Sequence, residues 1–122
     1  MTLNRLKKIW DNGEYALNGW LSINNSFIAE IMSRQNYDTL TIDMQHGLID
    51  YSDLIGTLQG ITGSNVTPVV RVPWLDPGYI MKALDAGAQG IISPMINNKK
   101  EAEEFASYMR YPPLGNLSLI HI

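Results

Sequence analysis

The chain has 122 residues, a net charge of −3 and no cysteine. The weak negative charge gives no basic face for nucleic acid, and the lack of cysteine excludes both a disulfide framework and a thiolate zinc site. No apolar run approaches the roughly 18 residues of a transmembrane helix. Asn4, Lys7, Lys8 and Asp11 interrupt the region where a signal peptide would have its apolar core. We therefore expect one cytoplasmic domain with no nucleic-acid or membrane partner.

Strand signals recur four times along the chain, each followed by a helix signal. The second strand segment carries the β-branched run 39–42 and ends abruptly in polar residues, whereas the third is almost entirely apolar, as expected for a strand covered on both faces. The predicted strands lie at residues 16–23, 37–47, 67–72 and 90–95.

Helix signals begin with a short leading helix over residues 4–12, which Gly13 ends. Each later helix has a capping residue at its start: residues 24–26, Asp50, Asp76 before Pro77, and Asn98 with Glu101 three residues on. Within the second helix an apolar stripe recurs at helical spacing. This stripe consists of Phe27, Ile28, Ile31 and Met32.

Alternation of this kind predicts an α/β fold with a parallel sheet and right-handed crossovers. Two architectures fit it: an open doubly wound sheet and a (β/α)₈ barrel of the TIM type. A barrel needs about 250 residues, so four βα units after a leading short helix would be half of one. Polar residues follow several strands rather than one switch point, which favours the barrel.

Candidate site residues cluster at these strand ends. Asp43 and His46 follow the second strand, Arg71 lies at the end of the third, and Trp20 lies near the end of the first. A single histidine here is either a loop hydrogen-bonding residue or a catalyst, Arg71 is either a structural ion pair or a ligand clamp, and Trp20 is either core or pocket wall. Asp85 opposes the helix macrodipole in the last turn of its helix, which indicates a specific partner.

Four motifs together carry a family resemblance. IDMQHG (42–47), PVVRVPWLDP (68–77), KALDAGAQGIISPM (82–95) and MRYPPLG (109–115) occur in this order. Over residues 19–115 the chain resembles the HpcH/HpaI aldolases, which are metal-dependent (class II) pyruvate aldolases related to 4-hydroxy-2-oxoheptanedioate aldolase. The resemblance implies a (β/α)₈ barrel, commonly hexameric, that reversibly cleaves 2-oxo-4-hydroxy acids to pyruvate and an aldehyde through a metal-stabilised enolate.

The resemblance also implies roles for single residues. His46 would be the acid/base, acting through water, and Asp85 would pair with it and fix its tautomer. Arg71 would bind the keto or enolate oxygen, Asp43 would be a supporting polar group of the substrate site, and Trp20 would line the pocket. The divalent ion (magnesium, manganese or cobalt) would be held by a Glu and an Asp from later strands, so we expect its ligands beyond Ile122.

The last residues depart from the family pattern. We expect residues 1–116 to be the N-terminal half of the aldolase barrel and residues 117–122, LSLIHI, to be a non-native tail, because this hexapeptide is the translation of a widely used transposon adaptor. We expect the 122-residue polypeptide itself to be inactive. Two other functions stay open: a citrate lyase β-like acyl-CoA lyase and a non-catalytic, self-associating half-barrel.

Overall fold

A computed structural model describes residues 4–118, in which helices and strands alternate after a leading helix. Each predicted unit is present, and the strands are shorter than the sequence indicates. The elements are α1 (Arg5–Asp11), β1 (Asn18–Leu21), α2 (Ser26–Ser33), β2 (Thr39–Asp43), α3 (Tyr51–Ile61), β3 (Thr67–Arg71), α4 (Pro77–Asp85), β4 (Gly90–Ile92) and α5 (Lys99–Tyr108).

The strands of residues 4–118 form one parallel sheet in the order β1-β2-β3-β4. Spatial order therefore equals sequence order, whereas a doubly wound sheet reverses its order at a switch point. The register aligns Asp43 with Arg71, and Arg71 with Ile92, at the carboxyl edge. The structure is consistent with four units of a (β/α)₈ barrel, which confirms the predicted fold class.

The two faces of the sheet have different surroundings. Leu40, Ile42 and Val70 belong to the buried core beneath the helices. The opposite face carries small polar side chains, and the Thr41 hydroxyl lies 3.0 Å from the Asn18 side-chain oxygen. Helix α1 lies across this face at the amino edge and leaves a cavity of about 420 Å³ beside it.

The strand ends differ from the predicted ones for local reasons. The fourth strand was predicted to run to residue 95 but ends at Ile92. Pro94 has no backbone N–H to continue a ladder, and Met95 adopts a left-handed conformation with φ of 58°. The second strand ends at Asp43, whose carboxylate binds the backbone N–H groups of Gln45 and His46 instead.

Most of the apolar stripe of α2 does not face the core, and Met32 is its member that packs against the core. The exposed fractions of Phe27 and Ile31 are 66% and 46%, whereas Ala29 and Ser33 are buried. A Cβ atom added at Gly60 of α3 would lie 2.4 Å from the Ser26 carbonyl oxygen. Small residues therefore let the two helices approach closely, and the side chains of Phe27 and Ile31 point outward.

The end of the described chain folds back on α5. The Asn116 N–H donates to the Ser107 carbonyl of α5 at 2.7 Å, the Leu117 N–H donates to the Arg110 carbonyl just after it at 2.9 Å, and the Leu117 side chain is buried. The remainder of the predicted tail, residues 119–122, lies outside the described residues, so the domain boundary at residue 116 stays a prediction. Across residues 4–118, no helix has the length and apolar character needed to span a membrane.

Candidate active site

Asp43 is the centre of the hydrogen-bond network at the carboxyl edge. Its Oδ1 accepts from Arg71 Nε at 2.9 Å and from the backbone N–H groups of Gln45 and His46 at 3.0 and 3.2 Å. Its Oδ2 accepts from Arg71 Nη2 at 2.6 Å and from Trp20 Nε1 at 3.2 Å. Five donors thus occupy both carboxylate oxygens, which leaves Asp43 little capacity to bind anything else.

This network fixes the charge of both partners. The Arg71 guanidinium, and then the N–H groups of His46, Trp20 and Gln45, hold the pKa of Asp43 well below its usual range, against the opposing effect of burial. The Asp43 carboxylate in turn raises the pKa of Arg71. The Asp43 side chain is 3% exposed and the Arg71 side chain 24% exposed, so the guanidinium is the member of the pair that a solute can reach.

Arg71 keeps hydrogen-bonding capacity on its open side. A guanidinium has five N–H donors, and Asp43 takes one on Nε and one on Nη2. Within residues 4–118, no protein acceptor engages the remaining donors, which include the edge formed by Nη1 and Nη2. The Trp20 ring lies against the guanidinium, with its centroid 5.0 Å from the Arg71 Cζ atom. The result is a fixed cation with one edge available to an anion.

His46 lies in the loop after β2, beside this cation. Its backbone N–H is bound by Asp43, and its side chain is exposed. The loop needs the following glycine, because a Cβ atom at Gly47 would lie 2.2 Å from the Asp43 carbonyl oxygen. The sequence Asp43–Gly47 therefore builds a tight turn in which the His46 backbone N–H shares Asp43 Oδ1 with Arg71 Nε.

The structure does not bring Asp85 to His46. Asp85 is exposed and is the last residue of α4, which begins at the carboxyl edge and runs back toward the amino edge of the sheet. Within residues 4–118 no hydrogen bond or ion pair joins these two side chains, and their pairing in the active enzyme stays a prediction. A helix of this length carries its last residue about 13 Å from its start.

Two features of the carboxyl edge gave no clear sequence signal. Among residues 4–118, Met95 is the non-glycine residue with a positive φ. The Asn97 side-chain amide donates to the Met95 carbonyl at 2.8 Å. Strained backbone of this kind is frequent at functional sites. Trp74, in the loop after β3, has an exposed indole.

Another cavity, of about 410 Å³ beside Arg5 and Tyr37, contains none of the site residues and lies at the amino edge.

The described residues do not fit a divalent cation. Residues 4–118 contain no group of three or more His, Asp or Glu side chains arranged to hold a metal ion. Asp43, the carboxylate nearest to the cationic edge, is already engaged by five donors. The expectation that metal ligands lie beyond Ile122 stays a prediction.

The chain matches a known protein family over most of its length. The family model described as HpcH/HpaI aldolase/citrate lyase matches residues 17–118, and the chain belongs to this family. The chain is 42% identical over 113 residues to a hydroxypyruvate/pyruvate aldolase from Rhizorhabdus wittichii, covering 93% of this chain and 45% of that protein. It is 36% identical to a 4-hydroxy-2-oxo-heptane-1,7-dioate aldolase from Salmonella dublin, covering 92% and 43%. Aldolases are lyases, so the relatives define an enzyme family.

Solved structures give the same result. A HpcH/HpaI aldolase/citrate lyase family protein from Burkholderia cenocepacia superposes with a TM-score of 0.88 at 34% identity, covering 95% of this chain and 48% of that one. The citrate synthase SbnG superposes with a TM-score of 0.86 at 30% identity, covering 94% and 47%. The chain thus spans about half the length of the relatives it matches.

The Arg71–Asp43 pair should make stability depend on pH. We expect Asp43→Asn to lower the free energy of unfolding by about 2–3 kcal/mol near neutral pH, because it leaves Arg71 without its counter-ion. The folded-state pKa of Asp43 is lowered, so its contribution is present above the ordinary pKa of 3.8 and is lost as pH falls toward the folded-state value. Urea unfolding at about pH 7 and about pH 3 measures both quantities.

The matched control is Asp11→Asn. Asp11 forms an exposed pair with Lys7, with side chains 62% and 70% exposed, and such pairs contribute less than about 1 kcal/mol. We expect little change at either pH for this variant. A loss of stability in Asp43→Asn that is equally large at both pH values would contradict the ion-pair explanation.

Proposed function

We propose that this chain supplies the oxyanion-binding and proton-transfer part of an aldolase that reversibly cleaves 2-oxo-4-hydroxy acids to pyruvate and an aldehyde. The observation that carries the proposal is the free edge of the Arg71 guanidinium, which Asp43 fixes at the carboxyl edge beside His46. The names of the relatives, hydroxypyruvate/pyruvate aldolase and 4-hydroxy-2-oxo-heptane-1,7-dioate aldolase, support the same substrate class.

Arg71 acts on the oxygen at C2 of the substrate. When the C3–C4 bond breaks, its electron pair moves toward C2 and the former keto oxygen gains negative charge. Guanidinium N–H donors that are already fixed stabilise that charge without reorganising, which is the main way in which such sites lower a barrier. Asp43 does not contact the substrate in this proposal, since its oxygens are occupied; it holds the guanidinium.

His46 acts on the hydroxyl at C4. Its imidazole, directly or through one water, accepts the hydroxyl proton as the C4–O bond becomes a carbonyl and the aldehyde leaves. Protonation of the enolate at C3 then gives pyruvate. In the reverse direction the same proton returns to the new alkoxide. The exposed position of His46 supports this role because a substrate at the carboxyl edge can reach it.

The divalent ion implied by the resemblance is assigned to carboxylates outside the described residues. Magnesium, manganese or cobalt there would act as a Lewis acid toward the 2-oxo acid. We also propose a cytoplasmic homo-oligomer, hexameric by resemblance. The outward apolar side chains of α2, Phe27 and Ile31, support self-association.

A joined barrel tests the proposed function. It consists of residues 4–116 of this chain followed by the part of the Rhizorhabdus wittichii aldolase that extends beyond the matched segment. We expect it to release pyruvate from 2-oxo-4-hydroxy acids, in an assay coupled to lactate dehydrogenase, and to lose this activity with EDTA. A folded joined barrel without pyruvate release would contradict the proposal.

A second candidate is an acyl-CoA lyase or synthase. The structural similarity to the citrate synthase SbnG favours it, because a thioester enolate would place its charge on a similar oxygen. Release of free coenzyme A from acyl-CoA substrates, without pyruvate release, would support this candidate. Self-association of the 122-residue chain without turnover would instead support the non-catalytic half-barrel, whose strands β1 and β4 are unpaired on one side within residues 4–118.

A further inference from the structure

We infer that Trp20 is a positioning residue: its indole holds the Arg71–Asp43 pair in the one orientation that presents the free guanidinium edge to an anion. This role differs from a pocket wall, which would contact the substrate. The inference deepens the proposed function and rests on it only for the identity of the anion.

The evidence is that Trp20 contacts both members of the pair. Its Nε1–H donates to Asp43 Oδ2 at 3.2 Å, and its ring centroid lies 5.0 Å from Arg71 Cζ. The indole is therefore attached to the carboxylate through its edge and to the guanidinium through its face. A residue that only filled space would need neither contact.

The position of Trp20 in the sheet makes this arrangement specific. Trp20 pairs with Thr41 in the register, and Thr41 pairs with Val69, so the three side chains point to the same face of the sheet as Asp43 and Arg71. Strands β1, β2 and β3 thus place the Trp20 indole, the Asp43 carboxylate and the Arg71 guanidinium next to one another. The strands hold the three backbones, and the side chains then restrict one another.

The restriction matters because Arg71 is accessible. Its side chain is 24% exposed, and an arginine with one open side can leave its carboxylate for solvent. Asp43 occupies the side edge formed by Nε and Nη2. The ring of Trp20 lies on one face of the Arg71 guanidinium. The Nη1–Nη2 edge of the guanidinium is then directed away from both Asp43 and Trp20. This edge matches two oxygens of a planar oxyanion, as in a carboxylate or a 2-oxo acid.

The test is made on the full 122-residue chain and does not depend on activity. Solvent exchange of the Arg71 Nε–H, measured by nitrogen-15 NMR, reports how firmly the guanidinium is held. We expect Trp20→Leu to accelerate this exchange by about tenfold, the scale of a lost cation–π contact plus a lost hydrogen bond. Trp20→Phe keeps a ring over the guanidinium. On a logarithmic scale, its exchange rate should therefore rise by no more than half as much as that of Trp20→Leu.

Trp10→Leu is the matched control, because Trp10 is an exposed tryptophan of α1 at the other edge of the sheet. We expect no change in Arg71 exchange for this variant. Equal exchange in wild type and Trp20→Leu would overturn the inference. If Trp20→Leu does not fold, Trp20→Phe and Trp20→Tyr replace it in the test. Both should exchange the Arg71 Nε–H faster than wild type, because neither ring donates like the indole N–H. Exchange at the wild-type rate in both would overturn the inference.

Oxalate, a planar dianion, gives the second readout. We expect its affinity, followed by chemical shifts, to fall in Trp20→Leu in parallel with the faster exchange of the Arg71 N–H. Weaker oxalate binding with unchanged Arg71 exchange would identify Trp20 as a direct contact and overturn the inference. Absence of oxalate binding to the wild-type chain, with Arg71 exchange still dependent on Trp20, would count against the proposed function while supporting the positioning role.

Discussion

Replacing Arg71 by alanine is expected to lower pyruvate release by the joined barrel by about a hundredfold or more, a usual scale for removing a group that stabilises an oxyanion. The reason is the arrangement of its donors. One edge of the guanidinium is bound to Asp43, and the other is available where the enolate oxygen would form. Without it, the developing charge loses the cation that Asp43 fixes at this edge of the sheet.

Arg71→Lys separates charge from geometry. A lysine keeps the positive charge, but a single ammonium group cannot bind Asp43 through two parallel hydrogen bonds and also present a second pair of donors. We expect this variant to recover less than about a tenth of the wild-type rate. Such a loss would show that the planar fork, and not the charge alone, is required.

Arg34→Ala is the control for removing an arginine. Arg34 forms an exposed pair with Glu30 on α2, with side chains 68% and 45% exposed, and contacts none of the site residues. We expect unchanged turnover. A joined barrel carrying Arg71→Ala that releases pyruvate at nearly the wild-type rate would remove Arg71 from the mechanism.

Replacing His46 by alanine should have a comparable effect, a loss of about a hundredfold in turnover. The side chain is exposed and contributes little burial, so the variant should unfold at the wild-type temperature. The backbone N–H that binds Asp43 remains in the variant. A loss of activity would therefore report the imidazole itself and not the turn that holds it.

Added imidazole makes this test sharper. Because the position is open to solvent, a free base can reach the space left by His46→Ala, and we expect dissolved imidazole to restore part of the rate in that variant. Gln59→Ala, on the exposed side of α3, should neither lose activity nor respond to imidazole. Full activity of His46→Ala without added imidazole would exclude His46 as the acid/base.

Much of the fold was predictable because its signals are local. Asn25, Asp50, Asp76 and Asn98 each cap the helix that follows them, and side-chain acceptors at these positions are visible in sequence. The strand ends were less predictable. Ile92 ends β4 because of Pro94 and the left-handed Met95, and only the proline is a recognisable signal.

The sequence indicates the individual residues at the carboxyl edge of the sheet, but it does not show the hydrogen bonds that join them. Asp43 and Arg71 were recognised separately, yet their pairing depends on the register between β2 and β3, which are joined through a whole helix. No local pattern encodes that register. The sequence predicts Asp43 as a supporting polar group of the substrate site, and the five donors that bind it are visible only in the structure.

Asp85 was recognised from its motif, and its position in the fold was not. The motif around it is clear in sequence, but its helix carries it to the other edge of the sheet, where its side chain is exposed. Motif matching gives the identity of a residue and not its position in three dimensions. The outward position of Phe27 and Ile31 was not foreseen either, because it follows from the close approach of α2 to Gly60 of α3.

The most direct measurement of the central claim is exchange of the pyruvate methyl protons in deuterium oxide, followed by proton NMR with the joined barrel. Formation of the enolate alone causes this exchange, so no aldehyde is needed. We expect steady exchange with the wild-type sequence and a loss of about a hundredfold or more with Arg71→Ala. Exchange that is equally fast in both proteins would contradict the claim that Arg71 stabilises the enolate.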